Sequence, residues 1–255
     1  MSGFEGETTD DAFLGGALTL TQPRRGHRSG LDAVLLAASA PVAPGETVLD
    51  LGSGAGAAGL CVLARVEAAS AVFLDRDAAM LDLAARNASA NGFSERVTTV
   101  CFDLDSPGGV EAAGLRQGSI DHVIANPPFF QDGQTRATPD ENRRAAHLAG
   151  ASLEASLERW ASFAAGALRK GGSVTFVHRA DALPAILSAF EGRFGNVAVT
   201  PIHPRPGLPA IRVLVRGLKG SKAPLNLAPA ITLHGAEGET FLPQVEAVLR
   251  RPAAL

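Results

Sequence analysis

The chain has 255 residues, 46% of them hydrophobic, and a formal net charge of −3. It is long enough for one large core or two small ones, and the negative balance excludes a global field that draws in nucleic acid, so any such affinity rests on local patches. Cys61 and Cys101 have no metal-ligand spacing and form no disulfide framework; they read as reduced thiols of a cytoplasmic protein that holds no metal. No apolar run approaches the roughly 18 residues of a membrane span, and the acidic start lacks the basic and apolar regions of a signal peptide.

Residues 1–12 are polar and Gly-rich and read as disordered. Residues 14–21 partly alternate, which fits a hairpin arm. The following loop gathers Arg24, Arg25, His27 and Arg28, either as a solvated loop or as one that contacts phosphate. A helix is predicted over 32–40, with Ser29 or Asp32 as its cap. Residues 13–45 are therefore expected to be an arm and helix packed on a catalytic domain spanning 46–255.

From there strands and helices alternate. Strands are predicted at 47–51, 70–74, 97–102 and 120–125, with helices at 57–67 and 78–91 and a Gly-rich connection at 105–119. The alternation argues for an α/β fold with a parallel, doubly wound sheet. Residues 129–150 read as a long polar loop, functional by its length. An amphipathic helix follows at 151–168, with Trp160 on its core face. A strand at 173–178, a helix at 181–190, strands at 196–202 and 211–215 and a short helix near 244–250 complete the chain.

The most informative stretch is Val48-Leu49-Asp50-Leu51-Gly52-Ser53-Gly54-Ala55-Gly56. An apolar run ends in an acid, alternate glycines follow, and a helix begins. Such a turn lets a ligand approach backbone N–H groups and the positive end of a helix dipole. Gly54, Gly56 and Gly59 also satisfy the dinucleotide spacing, with Asp75 about twenty residues on. At this point an NAD enzyme and an S-adenosylmethionine enzyme both remain open.

Asp50, Asp75, Asp103 and Asn126 fall at the carboxyl ends of successive predicted strands, where open α/β sheets bind ligands. Asp75 suits the two hydroxyls of a ribose, Asp103 an adenine amino group and Asp50 the ligand's ammonium end. The alternative for each acid is turn capping. Asn126-Pro127-Pro128-Phe129 is the second telling stretch. Two prolines stiffen the backbone and leave carbonyls as acceptors, and the Asn amide oxygen adds another. Paired acceptors hold both hydrogens of an exocyclic NH₂ and leave its lone pair free, while Phe129 offers a stacking face.

Together, the glycine turn and Asn126-Pro127-Pro128-Phe129 resemble class I S-adenosylmethionine methyltransferases acting on planar amino groups. Gln22-Pro23-Arg24, the block from Gly26 to Leu36 and the tail around Arg212–Val215, Lys219-Gly220, Leu233-His234 and Phe241 resemble the bacterial tRNA1(Val) adenine-N6 methyltransferases. The sequence departs from that pattern at Ser29, Leu31 and Phe241. The resemblance implies a Rossmann-like, seven-stranded, mostly parallel sheet with helices on both faces and a short N-terminal extension. It implies S-adenosyl-L-methionine as cofactor, held by Asp50, Gly52, Ser53, Gly54, Gly56, Asp75, Arg76, Asp103, Leu104 and Asn126. Catalysis falls to Asn126, Pro127, Pro128 and Phe129. The implied substrate is an anticodon-loop adenine of a tRNA, contacted by Arg24, Arg25, Arg28, Asp32, Arg143 and Arg144. A guanine-N2 methyltransferase of rRNA and a glutamine-N5 methyltransferase of protein share the second motif. Arg193, Arg205, Arg212, Arg216, Lys219 and Lys222 would complete a basic rim around an acidic cofactor pocket. The sequence specifies neither a monomer nor a dimer.

Overall fold

Val48, Leu49 and Leu51 are fully buried, and so continuous an apolar run belongs to a strand covered on both faces. In the computed structural model, which describes residues 7–25, 28–128 and 139–255 (139–151 by backbone alone), this run is an inner strand of the main sheet. The chain opens with β1 (Thr8–Phe13) and β2 (Leu18–Pro23), then α1 (Leu31–Ser39). The α/β unit follows as β3 (Thr47–Leu51), α2 (Ala57–Arg65), β4 (Ser70–Asp75), α3 (Ala78–Ala90), β5 (Val97–Cys101), α4 (Gly109–Ala112) and β6 (Ile120–Ala125). The second half holds α5 (Pro139–Ala167), β7 (Leu168–Arg179), α6 (Leu183–Phe190), β8 (Phe194–His203) and β9 (Arg212–Lys219). Short strands β10 (Asn226–Leu227) and β11 (Ile231–Thr232) and the helix α7 (Pro243–Arg250) close it.

Long strands lie in the order β8-β9-β7-β6-β3-β4-β5. β3 pairs in parallel with β4 and β6, as do β4 with β5 and β6 with β7, while β9 runs antiparallel to both its neighbours. This is the expected doubly wound sheet, and β10 and β11 widen it to nine strands by pairing with β8. One face packs α1, α2, α3 and α7 around Leu35, Leu60 and Phe73. The other packs α4, α5 and α6 around Phe176 and Phe190, whose rings meet edge to face at 5.2 Å. Among the described residues no helix is long and apolar enough to cross a membrane.

Several boundaries differ from the sequence reading. Strand β1 begins at Thr8, inside the stretch expected to be disordered, because it pairs along its whole length with β2. The expected polar loop at 129–150 is helical from Pro139 onward, as the first part of α5. The strand expected at 173–178 begins earlier, at Leu168 directly after α5, with Lys170-Gly171-Gly172 in its irregular start. The N-terminal arm is bound to the main unit through Asn87 of α3. Its buried carboxamide donates to Thr21 O at 2.9 Å and Ala55 O at 3.0 Å and accepts from Thr21 N at 2.9 Å.

Candidate active site

Strand register brings the expected residues onto one edge. Leu51 lies opposite both Leu74 and Ala125, so Gly52, Asp75 and Asn126 leave the sheet side by side. Asp75 pairs with Cys101, which places Arg76 just beyond the end of β4 and Asp103 and Leu104 just beyond the end of β5. This is the carboxyl edge, where the crevice of a doubly wound sheet lies.

The glycine turn is built from backbone bonds. Gly52 N and Ser53 N both donate to Leu74 O, at 2.7 and 3.0 Å, and Gly56 N donates to Ser53 O at 2.9 Å. Gly52 has φ +72°, and a Cβ there would lie 2.3 Å from the Trp160 ring edge. Gly56, at φ +84°, stands at the N-cap of α2, and a Cβ would press within 2.9 Å of Phe73. Both positions thus combine a left-handed backbone with no space for a side chain. Gly59 also packs against Phe73, where a Cβ would sit 2.3 Å away, so the dinucleotide-like spacing reflects close helix–strand packing.

The acids divide into different tasks. Asp50 is buried and accepts from Gly59 N at 2.8 Å, so it holds the start of α2 from beneath. Burial pushes its pKa from 3.8 up to about 7, against the Gly59 hydrogen bond and with help from Asp75. That contact is the kind expected from the turn-capping alternative for Asp50. Asp75 accepts from Gly54 N at 2.8 Å through one oxygen and from Asp77 N at 3.0 Å through the other. Each carboxylate oxygen keeps a second lone pair for a ligand. Asp103 closes a local turn by accepting from Asp105 N at 3.0 Å. Arg76 is exposed, whereas Leu104 is half-buried against the second core cluster.

Three buried side-chain oxygens have no hydrogen-bond partner among the described residues: Ser53 Oγ in the turn, Asn126 Oδ1 at the strand exit beside it, and Thr175 Oγ1 within β7. A native fold seldom leaves such groups unpaired. Ser53 Oγ and Asn126 Oδ1 border the crevice, where a polar ligand would satisfy them. Pro127 is buried and Pro128 exposed. Phe129 lies outside the described residues, as do the side chains of Arg143 and Arg144.

Two residues join the site that the sequence did not assign to it. Trp160 of α5 does lie against the core, as expected, but its ring edge also closes over Gly52. His178 ends β7 next to the exit of β6 and is 2% exposed. Burial lowers its pKa from 6.5 to about 4, with Asp181 opposing and Arg179 and Arg212 assisting, and the Pro128 backbone raising it slightly. The imidazole is therefore neutral at physiological pH, beneath the proline lip.

Of the expected substrate contacts, three of the four whose side chains are described are engaged within the protein. Arg24 pairs with Glu7 at 3.2 Å, Arg28 with Asp11 at 2.6 Å and Asp32 with Arg212 at 3.0 Å; Arg25 is exposed. Gln22 fixes their loop by accepting from Ser29 N at 2.8 Å and donating to Ser29 O at 3.2 Å. The expected basic rim is split by the antiparallel course of β9. Arg205 and Arg212 lie at the carboxyl edge, but Arg193, Lys219 and Lys222 lie at the opposite edge. Lys219 donates there to Leu168 O at 2.6 Å. Among the described residues no three His, Cys, Asp or Glu gather as metal ligands.

The profile of the family described as "Methyltransferase small domain" matches residues 30–202. The chain belongs to this methyltransferase family. S-adenosylmethionine is the cofactor of its fold, which sets the NAD register aside. The release factor glutamine methyltransferase of Chlorobaculum tepidum is 30% identical over 174 residues, 67% of this chain and 55% of that one. The chain thus spans about half the length of that relative. The tRNA1(Val) (adenine(37)-N6)-methyltransferase of Aeromonas hydrophila is 31% identical over 219 residues, 82% of this chain and 83% of that one. Among solved structures, a protein of Agrobacterium tumefaciens described as a "predicted O-methyltransferase" superposes with a TM-score of 0.74. It is 31% identical, with 88% of this chain and 98% of that one covered. For a methyltransferase the crevice fits its cofactor: a glycine cradle, an acid with spare acceptor capacity at the next strand, and an unpartnered Ser53 hydroxyl.

Proposed function

We propose that this methyltransferase acts on the exocyclic N6 amino group of an adenine in the anticodon loop of a tRNA. The observation that carries the reading is Asn126, whose carboxamide oxygen is buried and, among the described residues, unpartnered one strand from the glycine turn. When bound, S-adenosylmethionine supplies an electrophilic methyl group on a sulfonium. Gly52, Ser53, Gly54 and Gly56 hold its amino-acid and central portions, Asp75 and Arg76 its ribose, and Asp103 and Leu104 its adenine. Asn126 Oδ1 and the carbonyl at Pro127 accept the two amine hydrogens, so the nitrogen lone pair faces the methyl carbon. The N–C bond forms as the C–S bond breaks, and the cationic amine then releases a proton to water. No strong base is required, because orientation and desolvation supply most of the acceleration.

A glutamine side-chain amide presents the same NH₂ geometry, and the Chlorobaculum tepidum relative is named for that acceptor. The arginines at the carboxyl edge favour RNA, since a phosphate backbone needs cations beside the target base. The target leaves its stack to reach Asn126, at a smaller cost in a loop than in a duplex. To test the reading, the protein is incubated with methyl-labelled cofactor and unmodified tRNA, rRNA or a release-factor polypeptide. Digestion should yield N6-methyladenosine from tRNA; label in N2-methylguanosine or N5-methylglutamine alone would replace it.

A further inference from the structure

The carboxyl edge holds a second concavity, separate from the crevice. It has a volume of about 520 Å³ and is lined by His203, Arg205, Leu208, Pro209, Ala230 and Thr232 among others. His203 ends β8, Thr232 ends β11, and the two are partners in register. The loop between β8 and β9 forms the opposite wall. The cleft is built before any ligand arrives: His203 Nδ1 lies 2.6 Å from Leu208 O, Leu208 N donates to Arg205 O at 3.2 Å, and Arg205 donates to Gly235 O at 2.9 Å. Leu208 and Ile211 are nonetheless 48% and 44% exposed.

The order β6-β7-β9-β8 puts this cleft three strand spacings from Asn126, about 14 Å along the same edge. Between the two sites stand Arg179 and Arg212, directly opposite each other in register. Their carboxylate partners are Asp181 and Asp32. The edge therefore reads as one track: an amine-accepting lip, two guanidinium groups, then an apolar-walled cleft with an arginine, an imidazole and a hydroxyl. Apolar walls suit a base face, and His203, Thr232 and Arg205, whose guanidinium also meets Glu239 at 3.4 Å, suit its edge and its phosphate.

We propose that this cleft binds a second, unstacked nucleotide of the RNA strand whose target adenine lies against Asn126. The proposal rests on the RNA reading above. It makes the cleft a specificity element, in which the enzyme recognises a loop only when a neighbouring base can also be splayed out.

The test is an equilibrium titration of the full chain with a fluorescein-labelled RNA hairpin carrying an adenine in its loop. Abasic replacements scan the positions near that adenine. One of them should weaken binding by about tenfold, the usual effect of losing a single base contact. Thr232→Trp, which fills the cleft, and Leu208→Asp, on its exposed wall, should each weaken the intact hairpin to the same degree. In either variant the abasic penalty should disappear. Unchanged S-adenosylhomocysteine affinity shows that a variant is folded, and a variant that loses it leaves the decision to the other. Parent-like binding of the intact hairpin, or an abasic penalty that persists in a folded variant, overturns the proposal. Methyl transfer by the parent separates the two claims. A methylated hairpin without this coupling removes the cleft alone, and coupling without methylation removes the reaction assignment and leaves the cleft.

Discussion

Replacement of Asn126 by alanine separates a functional carboxamide from a structural one. In the free protein Oδ1 is buried and unpartnered among the described residues, a condition that costs about 1–3 kcal/mol. Truncation relieves that cost and loses about 1 kcal/mol of side-chain packing. The variant should therefore be as stable as the parent or more stable by up to about 2 kcal/mol. Turnover should move the other way. An acceptor facing an amine that gains positive charge contributes about 1.5–3 kcal/mol, and a misdirected lone pair adds to the loss. A fall in kcat of roughly thirty- to a thousandfold follows, within the range for removing one preorganised polar group. The measurements are urea unfolding of the free variant and methyl transfer at saturating cofactor. A variant destabilised by more than about 1 kcal/mol would mark the carboxamide as structural. Turnover within threefold of the parent would end its role in holding the amine.

Three further outcomes follow from the same geometry. Asp75→Ala removes the acceptor of both Gly54 N and Asp77 N, so calorimetry should show cofactor affinity reduced at least tenfold; parent-like affinity would remove the ribose assignment. Gly52→Ala imposes a left-handed alanine against Trp160, which should destabilise by about 1–3 kcal/mol. Adding Trp160→Leu should recover part of that loss, and no recovery would mean that the ring is not the obstacle. The third concerns pH. Asp50 titrates at about 7 in the fold against an ordinary 3.8, so its contribution is full in acid and fades as pH rises to 7. His178 titrates at about 4 against 6.5, so its contribution is full above 6.5 and fades as pH falls to 4. The two slopes oppose each other over most of that range. Asp50→Asn should expose the histidine slope and be about 2 kcal/mol less stable at pH 5 than at pH 7. His178→Gln should show the reverse, and two variants with the same slope would refute both assignments.

The crevice was legible because each of its parts is local in sequence. A strand ending in Asp50, alternate glycines and a helix start specify the turn without reference to anything distant. The acids at 75 and 103 could be placed by counting strand ends. What stayed hidden depends on long-range packing. Periodicity put Trp160 on the core face of its helix but gave no sign that its ring would meet Gly52, more than a hundred residues away. Asn87 looks like an ordinary polar helix residue until its bonds to Thr21 and Ala55 are seen. The basic rim failed for a topological reason: a count of cations takes no account of the reversal of β9, which sends Lys219 and Arg212 to opposite edges. The start of α5 was missed because residues 139–150 carry too little apolar periodicity to signal a helix.

The most direct test is a crystal structure of the protein with S-adenosylhomocysteine and an adenine-containing oligoribonucleotide. The account predicts the thioether against Gly52–Gly56, a ribose on Asp75, and the adenine N6 within hydrogen-bond distance of Asn126 Oδ1. A nucleoside bound away from the glycine turn, or an adenine whose amino group does not touch Asn126, would contradict it.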